Sequence, residues 1–136
     1  MLDLLAHELF QRELSIGLSS MDWSAVLDES NRHAVTALLF PGVMRLSDIP
    51  DSFMSRICGA AVSASYESER MLQIQREILD LLEQHGLPCA VLKGTSVACL
   101  YPHPELRVPG DIDILVSRDK LTTTCKILSE HGFRQT

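Results

Sequence analysis

The sequence predicts an α+β chain, with a helical N-terminal region over residues 1–87 and a β-α-β-α segment over residues 88–136. Three observations predict it. Apolar residues recur at three- and four-residue spacing from Leu2 to Leu82, the period of helices that bury one face. That period stops at Pro88. Beyond it, two short apolar runs, Cys89–Lys93 and Asp111–Val116, are each followed by a turn and a helical stretch, which is how strands alternating with helices read.

Taken in order, Leu2, Leu5, Ala6, Leu9 and Phe10 outline a first helix. Ser20-Met21-Asp22-Trp23 reads as a capped start, after which Trp23, Val26 and Leu27 form one face of a second helix. Ala34–Phe40 is a further short helical piece that Pro41-Gly42 would close. Ile49-Pro50-Asp51 opens the longest element, predicted from about Ser52 to His85. Ile57, Ala61, Ala64, Met71, Ile74, Ile78, Leu81 and Leu82 keep the helical period there, with Glu67, Glu69, Arg70, Gln75, Arg76 and Glu77 between them. An amphipathic helix packing on its own domain accounts for that stripe, Met71 included. Gly86 and Pro88 end the helix, glycine just past the end and proline soon after.

Cys89–Lys93 is apolar almost throughout, as in a strand covered on both faces. Val97–Tyr101 is a short helix broken by Pro102-His103-Pro104, and Asp111–Val116 is the second strand. Leu121–His131 forms another helix with Ile127 and Leu128 inward, and Gly132-Phe133 then turns toward a third strand. A two-stranded sheet is marginal by itself, so it must lean on the long helix, pair with another chain (a protein partner or a second copy), or be completed by a further C-terminal part.

The net charge of −6 argues against a generic nucleic-acid or anionic-membrane binder, because such proteins use a basic surface to displace counterions. A small anionic nucleotide remains compatible, since local groups capture it. Met1-Leu2-Asp3-Leu4-Leu5-Ala6-His7-Glu8 has no basic lead, so no signal peptide is read there. No stretch reaches the roughly 18 uncharged apolar residues of a membrane span. The expectation is a cytoplasmic protein with no membrane partner. Cys58, Cys89, Cys99 and Cys125 lie among apolar neighbours without metal-ligand spacing and read as free thiols.

Two motifs carry chemistry. A strand that ends in Gly94-Thr95 and feeds a helix presents backbone N–H groups at the helix start. Gly94 allows close approach to a phosphate, Thr95 or Ser96 adds a hydroxyl, and Lys93 supplies charge if it reaches the same mouth. The same turn occurs in many proteins for steric reasons alone. The second motif is Asp111-Ile112-Asp113. Residues two apart on a strand point to one side, so the carboxylates project together, opposite Ile112, Ile114 and Val116. Adjacent carboxylates repel, and a divalent cation removes the repulsion. Mg²⁺ suits hard oxygen ligands and usually takes one or two carboxylates, leaving positions for water and substrate phosphate. The competing reading is an exposed edge where Asp111 caps a turn after Pro109-Gly110.

In this order the two motifs resemble the glycine-turn and D-x-D signatures of the polymerase-β-like nucleotidyltransferase superfamily. The wider run is more specific: Val91-Leu92-Lys93-Gly94-Thr95-Ser96-Val97-Ala98, Leu100-Tyr101-Pro102, Leu106-Arg107, Gly110–Val116, and Leu128 to Gly132-Phe133. It is similar to an uncharacterised bacterial nucleotidyltransferase family of that superfamily, strongly from Ala90 to Phe133 and loosely from Asp22-Trp23 to Pro88. The resemblance implies that residues 88–136 form the first β-α-β-α part of a nucleotidyltransferase core. It implies transfer of a nucleoside monophosphate from a nucleoside triphosphate to an unknown acceptor, with release of pyrophosphate. Gly94 and Thr95, with Ser96 beside them, would hold the triphosphate. Asp111 and Asp113 would be catalytic and would hold two Mg²⁺ ions about 3.5–4 Å apart. Lys93 and Arg107 would serve phosphate charge or brace the aspartate loop, with a purely structural Arg107 equally compatible. His103 reads as an exposed loop histidine rather than a base, and Tyr101 as packing at the end of its helix.

The resemblance also implies a third carboxylate on a later strand. Nothing after Asp113 fits, since Asp119 starts the next helix and Glu130 lies near its end. The expectation is therefore a partial core, whose transfer activity would suffer. Two other readings stand beside it: a non-catalytic nucleotide- or protein-binding module, as in a toxin–antitoxin-like pair, and a helical domain with a coincidental D-x-D.

Overall fold

The computed structural model describes residues 1–136 apart from 16, 109 and 134–136. The turn expected at Pro109-Gly110 and the third strand expected after Phe133 therefore fall partly or wholly outside the described residues. The described chain is mostly helical, with one antiparallel pair of short strands. It divides into two compact units, Met1–Ser68 with Ala98–Val108 and Glu69–Val97 with Pro109–Thr136.

In the first unit, α1 (Leu2–Phe10) is followed by α2 (Trp23–Arg32), whose start is fixed by the Asp22 carboxylate accepting the Ala25 N–H at 3.0 Å. A tight turn at Ala37–Leu39 leads into α3 (Phe40–Val43). Pro41 and Gly42 therefore open this helix, where the sequence predicted a stop. In a first turn the missing N–H of proline removes no bond and its fixed φ suits the helix. Gly42 sits against α1: a Cβ there would lie 3.1 Å from Glu8 Oε2 and 3.2 Å from Glu8 Cβ. The long helix α4 (Asp51–Gln84) begins in this unit. Leu4, Val26, Leu27, Leu39, Val43, Phe53 and Ile57 form the core, with Trp23 tilted against Phe53 at 4.7 Å between ring centres. A second cluster joins Ala37, Leu38, Ala61, Ala64 and Leu106, and Tyr101 packs on it.

The second unit holds the rest of α4. Gly86, at φ 64, ends that helix: its N–H donates to the Glu83 carbonyl and the Leu87 N–H to the Leu82 carbonyl, both at 2.9 Å. Leu87 then packs beside Leu82, the apolar contact that accompanies this cap. Next come β1 (Cys89–Val91), α5 (Thr95–Ala98), β2 (Ile114–Val116) and α6 (Leu121–Glu130). Gly132, at φ 91, ends α6 in the same way, with Phe133 N–H donating to the Leu128 carbonyl. The strands pair antiparallel as Cys89 with Val116, Ala90 with Leu115, and Val91 with Ile114. Ile78, Leu82, Leu87 and Ile127 make the core, joined by Cys89, Ile114 and Phe133.

The sheet is covered on one face only. Cys89, Val91, Ile114 and Val116 are half-buried while Ala90 and Leu115 are exposed. A continuous apolar run predicted cover on both sides, but the apolar cluster of this unit meets Cys89 and Ile114 alone among the strand residues. The helix predicted at Val97 starts earlier, at Thr95, and is a single turn.

Candidate functional site

The site residues of the second unit converge because of where the strand pairing stops. Beyond the ladder, the Leu92 N–H still donates to the Asp113 carbonyl at 3.0 Å, which fixes the backbone of one aspartate against the end of β1. A regular continuation would set Lys93 opposite Ile112, on the face away from both carboxylates. The chain instead bends at Lys93, and Gly94, itself buried, takes φ 69, a backbone conformation that glycine adopts without steric cost. The Lys93 side chain is thereby free to reach the aspartates. Its Nζ lies 2.9 Å from Asp113 Oδ2 and 3.3 Å from Asp111 Oδ2.

The D-x-D carboxylates thus lie within reach of one ammonium. The pull of Asp113 first, and of Asp111 second, holds the Lys93 ammonium above the usual lysine pKa. Asp113 is the more sheltered, its side chain 34 % exposed against 63 % for Asp111. Its buried Oδ2 meets Lys93 at ion-pair distance but off the direction of a hydrogen bond, so it keeps acceptor capacity. Together with the exposed Asp111 Oδ2, which accepts from Lys93 at 3.3 Å, it fits a divalent ion that completes its shell with water and substrate. Among the described residues no three His, Cys, Asp or Glu side chains gather as a metal cage, which is the less common arrangement for Mg²⁺.

Thr95 opens α5, and its hydroxyl donates to the Gln75 carbonyl oxygen on α4. Gln75 therefore positions a residue expected at the triphosphate. The sequence marked it only as one polar position between apolar ones, and the signal that distinguishes it is its half-burial. Ser96 follows, exposed on the same turn. Because α5 is one turn long, a helix dipole adds little here; what the turn offers a phosphate is backbone proximity.

Arg107 lies in the first unit, not in the unit of the aspartates. Its guanidinium stands 5.6 Å over the Tyr101 ring and its backbone N–H donates to the Pro104 carbonyl at 3.2 Å, an arrangement that suits a loop brace. His103 is half-buried rather than exposed: its Nε2 lies 3.7 Å from Glu8 and its Nδ1 3.4 Å from Glu105. Glu8 is buried and takes its main partner from Arg45 Nη2 at 2.5 Å.

The family described as uncharacterised nucleotidyltransferase matches residues 19–136. The chain belongs to that nucleotidyltransferase family. The match takes in most of the helical region as well as the motif-bearing segment, so residues of both units belong to the family pattern. Comparison with curated proteins and with solved structures finds no match. Among the described residues no helix is long and apolar enough to cross a membrane. In this nucleotidyltransferase-family chain, then, Lys93, Asp111 and Asp113 meet, Gly94, Thr95 and Ser96 form the adjoining turn, and Arg107 stands over the Tyr101 ring in the other unit.

Proposed function

We propose that this chain carries the metal- and triphosphate-binding part of a Mg²⁺-dependent nucleotidyltransferase, which moves a nucleoside monophosphate from a nucleoside triphosphate to an acceptor. Asp111 and Asp113 hold the metal side of the site. Gly94, Thr95 and Ser96 receive the triphosphate, Lys93 adds positive charge, and Arg107 keeps the Tyr101–Pro104 loop in shape. Bound Mg²⁺ supplies charge neutralisation at the pyrophosphate and favours ionisation of the attacking oxygen. In the transfer, the acceptor oxygen gives its proton to water and bonds to the α-phosphorus. The bond from that phosphorus to the bridging oxygen breaks, and pyrophosphate leaves with the electron pair. The residues named orient the triphosphate for that displacement.

One observation carries the reading: in a member of a nucleotidyltransferase family, both D-x-D carboxylates meet the lysine of the glycine turn. Calorimetric titration of MgATP and MgGTP tests it, beside an Asp111→Asn, Asp113→Asn double variant and with pyrophosphate release followed in parallel. Metal-dependent binding that the double variant loses is the expected result. No heat from a folded chain would sink the nucleotide site. A second reading, a non-catalytic binding module with a protein partner, draws support from the exposed apolar sheet face of Leu92 and Leu115, and would then lead.

A further inference from the structure

The Asp111–Asp113 pair already has a counter-ion from within the chain, one positive charge against its two negative ones. One ammonium, that of Lys93, touches the two oxygens that the site reading assigns to a divalent ion, at 2.9 and 3.3 Å. An ammonium and a metal ion cannot share the space between two carboxylates. Nor does Lys93 fall there by default, because regular pairing would put it on the opposite face and only the bend before Gly94 brings it across. The side chain is 59 % exposed, and lysine carries a hydrated point charge on a flexible four-carbon stem. It can therefore leave the carboxylates without a large desolvation change.

We propose that Lys93 is the resident counter-ion of this aspartate pair, and that it withdraws to the triphosphate when a divalent ion is taken up. The inference rests on the site reading above and adds how that site is regulated. Its consequence is coupling. Free metal must displace Lys93 and binds poorly alone, whereas a triphosphate gives the displaced ammonium a new anion. Metal and triphosphate then each raise the other's affinity by the same factor. Without metal, Lys93 keeps the two carboxylates from repelling one another and holds the site assembled.

Mn²⁺ binding to the full chain, read by electron paramagnetic resonance and by calorimetry, tests the proposal. The chains compared are the parent, Lys93→Met, Lys93→Arg and the Asp111→Asn, Asp113→Asn double variant, each with and without an α,β-methylene ATP analogue. Lys93→Met should bind Mn²⁺ alone about threefold tighter or more, as expected for removal of a competing exposed cation, and Lys93→Arg should not show the gain. The analogue should raise Mn²⁺ affinity more in the parent than in Lys93→Met. Melting curves establish that each variant is folded. Mn²⁺ affinity in Lys93→Met equal to or below that of the parent overturns the proposal, while the site reading stands if the double variant still loses the metal. Mn²⁺ binding retained by the double variant overturns both.

Discussion

Replacing Gly59 and Gly86 by alanine, one at a time, adds the same methyl group to one helix and should move stability in opposite directions. At neither position would the new Cβ meet an atom within 4 Å, so packing cancels from the comparison. What differs is backbone conformation. Gly59 lies inside α4 on an exposed position, where alanine is better than glycine by about 0.5–1 kcal/mol. Gly86 holds φ 64 at the end of the same helix, where an L side chain costs about 1–2 kcal/mol. Restricting the unfolded chain returns about 0.4–1 kcal/mol of that, leaving Gly86→Ala a net loss near 1 kcal/mol. The two variants should therefore differ by roughly 1.5–2 kcal/mol. Urea unfolding followed by far-ultraviolet circular dichroism measures this, with the slope compared to exclude denatured-state effects. Trp23, the one tryptophan, reports on the unit containing Gly59 by fluorescence. Gly86→Ala as stable as the parent would refute the left-handed cap that sets the entry into β1. A Gly59→Ala loss would refute its exposed helical setting.

Four further outcomes are expected. Leu82→Ala, at a fully buried position of the second unit's core, should cost about 2–5 kcal/mol in urea unfolding; a loss under 1 kcal/mol would mean that this cluster does not hold the unit. Arg45→Ala leaves the buried Glu8 carboxylate with His103, at 3.7 Å, as its remaining ion-pair partner among the described residues; because Arg45 is itself half exposed, the loss should be about 1–3 kcal/mol rather than the full figure for a buried pair, and Glu8→Gln should restore part of it. Gln75→Ala frees the Thr95 hydroxyl and should weaken nucleotide binding about three- to tenfold in calorimetry; unchanged affinity would detach Thr95 from the triphosphate. Asp119 is held below its ordinary value of 3.8, chiefly by the Ser117 hydroxyl and then by backbone. A depressed carboxyl pKa stabilises the fold above the unfolded value, and the contribution fades as pH falls through the folded value; Asp119→Asn should therefore lower the melting temperature slightly at neutral pH, and the difference from the parent should vanish as pH falls below about 4.

The long helix was legible because two independent signals agree. Its apolar period runs to Leu82, interrupted in the buried stripe by Ser68, and Gly86 with Pro88 marks its end. The Asp22 cap was legible for the same reason, a local residue doing a local job. Pro41-Gly42 misled because proline is a stop inside a helix and a good residue in its first turn, and neighbouring sequence does not say which applies. The cover on β1 was not legible at all: an apolar run records which residues tolerate burial, while burial depends on what packs there. The same holds for Glu8, which sits between Leu5 and Leu9 but is buried through a partner 37 positions away. At the candidate site, Asp111 and Asp113 could be paired from strand geometry alone. The destination of Lys93 could not, since it follows from one bend at the end of β1.

That bend separates two things the site needs. The aspartates are placed by backbone: pairing of Val91 with Ile114, then the Leu92 N–H on the Asp113 carbonyl, fixes the chain that carries Asp113 and, two residues out, Asp111. The cation between them is carried on a flexible four-carbon stem, which the bend at Lys93 releases from the ladder. Exchanging that cation therefore requires a rotamer change in Lys93 and no movement of either strand. Had the counter-charge come from a residue locked in the ladder, the carboxylates would be paired permanently and unavailable to metal. Had no counter-charge been present, two acidic side chains at the end of a two-stranded sheet would repel in the empty state and loosen the pairing that positions them. A counter-ion on a flexible side chain meets both conditions, which supports the proposed metal-admitting site over a merely structural ion pair.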